Sequence, residues 1–87
     1  MGKYTLEVCV DSAESAEAAA KGGADRVELC ANLVIGGTTP PEALFEKIRS
    51  LTDIRVNVLI RPRYGDFLYT EYEFDMISRS VARFREM

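Results

Sequence analysis

Apolar positions along this chain change period repeatedly, from alternation to a spacing near 3.6, and the change happens three times. Tyr4 to Val10 is an apolar run with β-branched residues at Thr5, Val8 and Val10, which predicts a first strand. Asp11, with Glu14 three positions on, reads as a capping box opening a helix over 12–21. Ala13, Ala16, Ala19 and Ala20 give that helix a small apolar face, and Gly22-Gly23 offers a left-handed stop. Arg26 to Cys30 predicts a second strand, and Ala31 to Thr38, with Gly36-Gly37, a loop. Thr39 then reads as an N-cap, with Pro40 at the first helical position and Glu42 at the third. The helix over 40–51 carries an apolar stripe at Ala43, Leu44, Ile48 and Leu51. Arg55 to Ile60 predicts a third strand, and Arg61 to Phe67, broken by Pro62 and Gly65, a loop. Thr70 and Glu73 form a further capping box, stapled by Tyr69 and Phe74, for a helix over 71–86. Phe74, Ile77, Val81 and Phe84 line one of its faces.

Strands that alternate with helices imply right-handed crossovers and a parallel sheet. A repeat supports this order: Leu6-Glu7-Val8-Cys9 is echoed by Val27-Glu28-Leu29-Cys30. Side chains alternate across a strand, so Leu6, Val8, Val10, Val27, Leu29, Val56, Val58 and Ile60 share an apolar face suited to the helices. The opposite face carries Glu7, Cys9, Glu28, Cys30, Asn32, Asn57, Leu59 and Arg61. A doubly wound sheet would cover both faces and make both apolar. A closed barrel turns the mixed face inward and sets its functional groups near the C-terminal rim. The expected fold is therefore α/β, a parallel (βα)3 segment forming the first part of a (β/α)8 TIM-type barrel. Such a barrel takes about 250 residues, so residues 1–87 are read as a single incomplete barrel segment. Its unpaired edge strands predict a homo-oligomer or a complementing barrel segment.

Composition narrows the function. Apolar types at 47% are enough for a core, while 11 basic against 14 acidic residues leave a net charge of −3. That balance lacks the basic field that holds nucleic acid. There is no run of about 18 apolar residues to span a membrane. The opening Met1-Gly2-Lys3 leads into a strand-like segment without a signal-peptide core, and a cytoplasmic location is expected. Two cysteines are too few for a disulfide scaffold and are expected to be free thiols.

Four stretches bring a family into view: Leu6-Glu7-Val8-Cys9-Val10-Asp11-Ser12, Gly22 through Cys30, Gly36-Gly37-Thr38-Thr39-Pro40 and Ile60-Arg61-Pro62-Arg63, the last continued by Gly65-Asp66-Phe67. In order and spacing they resemble the copper homeostasis protein CutC family over nearly the whole chain. The resemblance implies a (β/α)8 barrel, cytoplasmic and often dimeric, linked to copper tolerance. It also implies Cu(I) ligation by strand cysteines at the positions of Cys9 and Cys30. Tyr64 stands where the family usually has glycine, which stiffens the loop after the third strand. Strands four to eight, with a later His/Arg-containing segment, lie beyond the resemblance.

The residues themselves allow two chemistries. Cys9 and Cys30 occupy equivalent places in the repeat and face the same way, so two sulfurs could approach one soft ion. Thiolates select Cu(I) or zinc; zinc prefers four ligands and the chain has no histidine, so Cu(I) fits better. The plainer alternative makes both cysteines small core residues. In the second chemistry, Glu28 is a general acid/base with Arg61 beside it near the rim, and Arg61, Arg63 and Asp66 hold a small anionic metabolite. Its plainer alternative is a Glu–Arg network that neutralises a barrel interior.

Overall fold

Three short β-branched runs make the sheet, and the computed structural model describes them within residues 4–87; Met1-Gly2-Lys3 lie outside the described residues. The elements are β1 (Glu7–Val10), α1 (Ala13–Lys21), β2 (Arg26–Leu29), α2 (Glu42–Leu51), β3 (Arg55–Val58) and α3 (Glu71–Glu86), with a 3-10 turn at Leu33–Ile35. The strands are parallel in the order β1-β2-β3.

Each strand is shorter than its apolar run. Ahead of β1 the Leu6 carbonyl accepts from the amides of Asp25 and Arg26, while its amide donates to the Asp25 carboxylate at 2.7 Å. That side-chain bond replaces the ladder where Tyr4 and Thr5 would have extended it. Past Leu29 and Val58 the chain turns toward its rim loops, although the Cys30 amide still bonds the Val10 carbonyl and the Leu59 amide the Leu29 carbonyl.

Two helix starts differ from the sequence expectation. Ser12, not Asp11, caps α1: it is extended, and its hydroxyl accepts from the Ser15 amide at 3.0 Å. Glu14 remains in the first turn, where its charge suits the helix dipole. Thr39 does not cap α2. Pro41 forces Pro40 out of helical backbone, so the helix begins one residue after the second proline, with Pro41 at the cap. Thr39 instead clasps the end of the third strand's run. Its hydroxyl accepts from the Arg61 amide at 2.7 Å and its own amide donates to the Arg61 carbonyl at 2.9 Å. The Thr70–Glu73 capping box of α3 is complete, and Tyr69 and Phe74 meet edge to face at 6.1 Å.

Val10, Val27 and Leu29 from the sheet meet Ala16, Phe45 and Ile48 from α1 and α2 in the buried core. Burying a side chain of this size contributes roughly 1.5–3 kcal/mol. Ala16 carries no bulk, so α1 lies close on the sheet. Phe45, absent from the expected α2 stripe, takes a core place while Leu51 stays 40% exposed. α3 is tied in by the Phe45–Phe84 edge contact at 5.8 Å and the Arg83–Glu42 ion pair at 2.8 Å. Among the described residues no helix is long and apolar enough to cross a membrane.

Candidate functional site on the polar sheet face

With the helices on one side, the other side of the sheet presents rows of polar residues set by register. In the first row Glu7 pairs with Arg26 and Arg26 with Arg55. The Glu7 carboxylate accepts from Arg26 Nε at 2.8 Å and from Asn57 Nδ2 at 3.0 Å. These bonds, Asn57 first, hold its carboxyl below the usual range. A flat sheet would keep β1 and β3 nearly 10 Å apart. An Asn57–Glu7 bond that passes over β2 shows that this face is concave, as the inside of a barrel is.

The second row corrects the placement of the thiols. Cys9 stands across from Glu28, and Cys30 lies two residues further along its strand, so the repeat positions are not in register. Adjacent strands in a barrel are staggered, and the repeat is displaced by that stagger. Both thiols nonetheless converge on one atom: Cys9 Sγ lies 3.8 Å and Cys30 Sγ 3.5 Å from Glu28 Oε1. Their diagonal placement sets the two Cα atoms about 8 Å apart by strand geometry, past the reach of a disulfide without backbone movement. Both cysteines are free.

Cys30 is 1% exposed, held behind the second loop, while Cys9 is exposed. Burial, and then the hydrogen bond and charge of Glu28, push the Cys30 thiol up to about 12. Partial desolvation followed by the Glu28 charge raises Cys9 as well. Neither sulfur is a ready thiolate at neutral pH, and an arriving soft cation has to displace the protons. Among the described residues no three His, Cys, Asp or Glu side chains stand placed to hold an ion together. Two sulfurs alone would suit a two-coordinate soft ion and not tetrahedral zinc.

The rim above this face is organised by two arginines. Arg61 Nη1 donates to the Gly37 carbonyl at 3.2 Å and Nη2 to the Gly65 carbonyl at 2.8 Å, while the guanidinium lies 5.1 Å over the Phe67 ring. It binds the loop after β2 to the loop after β3, and its buried Nε has no acceptor. Gly37, at φ +89°, allows the close approach, since a Cβ there would meet Leu59 Cδ2 at 2.8 Å. Arg63 uses all its donors internally, on Glu73, Asp66 Oδ1 and the carbonyls of Tyr64, Asp66 and Leu68, and it stacks 5.2 Å over Tyr69. An anion at Arg63 would have to compete with that whole set. Asp66 is also engaged, accepting from the Leu68 amide at 3.0 Å, and that bond with Arg63 lowers its pKa. Tyr64 is 66% exposed. The structure thus gathers Cys9, Glu28 and Cys30 in one cluster, while Arg61 and Arg63 both hold the loop over 64–66. Asn57 falls on the inner face as the alternation predicts, and the structure adds its bond to Glu7; Thr39, expected to cap α2, instead holds Arg61.

The sequence of residues 4–87 matches the CutC family. The chain belongs to the CutC family. Among relatives it is 47% identical, over 78 residues, to the human copper homeostasis protein cutC homolog, covering 90% of this chain and 29% of that protein. It is 48% identical, over 88 residues, to a family protein CutC from Bacteroides thetaiotaomicron, covering all of this chain and 35% of that one. A crystal structure of the CutC protein from Streptococcus agalactiae superposes with a TM-score of 0.85 at 33% identity, over 94% of this chain and 40% of that chain. The chain spans about a third of the length of the curated relatives it matches. Within the CutC family its fold is that of a parallel (βα)3 segment of a TIM-type barrel.

Proposed function

We propose that this chain serves intracellular copper handling and binds Cu(I) through Cys9 and Cys30, in the cytoplasm, where thiols stay reduced. The observation that carries the reading is the convergence of both sulfurs on Glu28 Oε1, which brings two soft donors to one point of the concave face. The names of the human and mouse relatives, both copper homeostasis protein cutC homologs, agree with it. Copper is cargo in this reading. Cys30, behind the loop, is the anchoring sulfur, and exposed Cys9 is the one a donor or acceptor molecule can reach.

The test is an anaerobic Cu(I) titration against a competing chelator, run beside the Cys9→Ser, Cys30→Ser double variant. Stoichiometric binding that disappears in the variant supports the reading; equal affinity in the two proteins ends it. A second reading is favoured by the unpaired Nε of Arg61. It is a rim enzyme that takes a small phosphorylated or carboxylated metabolite, with Glu28 as acid/base and Arg61 and Arg63 as anion anchors near Asp66. Saturable binding of such an anion, lost in Arg61→Ala, separates it from copper handling.

A further inference from the structure

The loop that leaves β2 is closed at its base and tied to the rest of the protein at one point. The Ala31 amide donates to the Thr38 carbonyl at 2.9 Å and the Thr38 amide to the Ala31 carbonyl at 2.7 Å, which pinches residues 32–37 into a strap. Within it the amides of Ile35 and Gly37 donate to the Asn32 carbonyl and the Gly36 amide to the Leu33 carbonyl. Asn32 Nδ2 donates to the Thr38 hydroxyl at 3.0 Å. All of these bonds are internal, so the strap keeps them if it moves as a unit. Among the described residues its one hydrogen bond to another part of the chain is from Arg61 Nη1 to the Gly37 carbonyl at 3.2 Å.

Gly37 is also what covers Cys30. It is buried, and a Cβ there would stand 3.6 Å from the Cys30 Cβ and 3.7 Å from its sulfur. β2 is the central strand, so this loop is flanked by β1 and β3 and not by an edge of the sheet. On either side of the strap the chain is fixed. The Cys30 amide is bonded to the Val10 carbonyl, and Thr39 is clasped to the Arg61 main chain. Movement is therefore confined to the links Cys30–Ala31 and Thr38–Thr39. Arg61 itself is incompletely satisfied: its second Nη reaches the Gly65 carbonyl, but its buried Nε has no acceptor. A buried donor left unpaired costs stability, and releasing the guanidinium to water recovers that loss.

We propose that Arg61 is the latch of a gate over Cys30. Residues 32–37 swing off the sulfur when the guanidinium lets go of Gly37 and cover it again when the bond re-forms, a local opening that leaves the sheet intact. The gate acts on access to the sulfur, so it operates whether or not Cys9 and Cys30 carry copper.

Alkylation of Cys30 by iodoacetamide in the metal-free Cys9→Ser chain tests the gate without copper. Rates are followed over urea concentrations below the unfolding midpoint. Local opening gives a shallow dependence on urea, whereas labelling through global unfolding rises with the full equilibrium slope. Arg61→Ala in the same background should label about tenfold faster or more, with the shallow dependence kept. The groups that act on the Cys30 proton are Glu28, Cys9 and Asp11, not Arg61, so the change in rate reports access. Arg61→Lys retains the charge but reaches only one of the two carbonyls. It too should label faster, and it serves if the alanine chain does not fold. Labelling of either folded variant at the parental rate, or a steep urea dependence showing that Cys30 is reached only by global unfolding, overturns the proposal.

Discussion

Raising the pH should unfold this chain through Cys30. Its thiol is 1% exposed, and burial together with the Glu28 carboxylate moves its pKa from an ordinary 9.0 to about 12. Below pH 9 the thiol is protonated in both folded and unfolded chains, so the contribution to stability is fully present. Between pH 9 and 12 the unfolded chain releases the proton and the folded chain keeps it. Stability then falls by about 1.4 kcal/mol per pH unit. At pH 10.5 the loss attributable to this group is about 2 kcal/mol, approaching about 4 kcal/mol at pH 12. The measurement is a difference between two proteins, so that only the Cys30 contribution remains. Urea midpoints of the metal-free wild type and of Cys30→Ala are compared at pH 7.5 and 10.5. The wild type should lose about 2 kcal/mol more than the variant over that interval. Parallel losses in the two proteins would refute the argument, because the alkaline sensitivity would then have another source. Glu28→Gln should end the decline at a lower pH, since it removes the charge next to the thiol and leaves the larger effect of burial in place.

Three other perturbations follow from the geometry. Arg63→Lys should lower the midpoint of chemical denaturation, because an ammonium cannot reproduce a fork that serves Glu73, Asp66 and three carbonyls. Gly37→Ala should cost about 1–2 kcal/mol and lower the melting temperature, because a left-handed φ of +89° and a contact at 2.8 Å to Leu59 both oppose the added methyl. Glu7, Asp66 and Glu73 have lowered pKa values, so their contribution is present above the ordinary carboxylate range and is lost as pH falls through it. A thermal melt at pH 3 should therefore lie below one at pH 6, and Glu73→Gln should narrow the gap.

Much of the architecture was legible because it rests on local chemistry. The change from two-residue to helical period marks each unit, and the Thr70–Glu73 box with its Tyr69–Phe74 staple spans only six neighbouring positions. What escaped depends on steps that pattern does not encode. At Pro40-Pro41 two local rules compete: a proline favours the first turn of a helix, but the residue before a proline avoids helical backbone. The second rule wins and releases Thr39 to hold Arg61. At Ser12 the shift is a single residue, and it passes the cap from a carboxylate to a hydroxyl.

The thiol pair shows how a small register error changes the chemistry that can be read. Treating Cys9 and Cys30 as repeat equivalents puts them side by side, a placement in which the two sulfurs could bridge an ion without help and could also oxidise to a disulfide. The observed ladder joins Cys9 to Glu28, two residues short of Cys30. The displacement has a structural origin, because strands that tilt around a barrel axis cannot pair repeat to repeat. It also has a chemical result. It inserts a carboxylate between the sulfurs, moves the backbone beyond disulfide reach and holds both thiols protonated. The stagger therefore keeps the two cysteines from pairing in a disulfide while leaving both sulfurs directed at a single point.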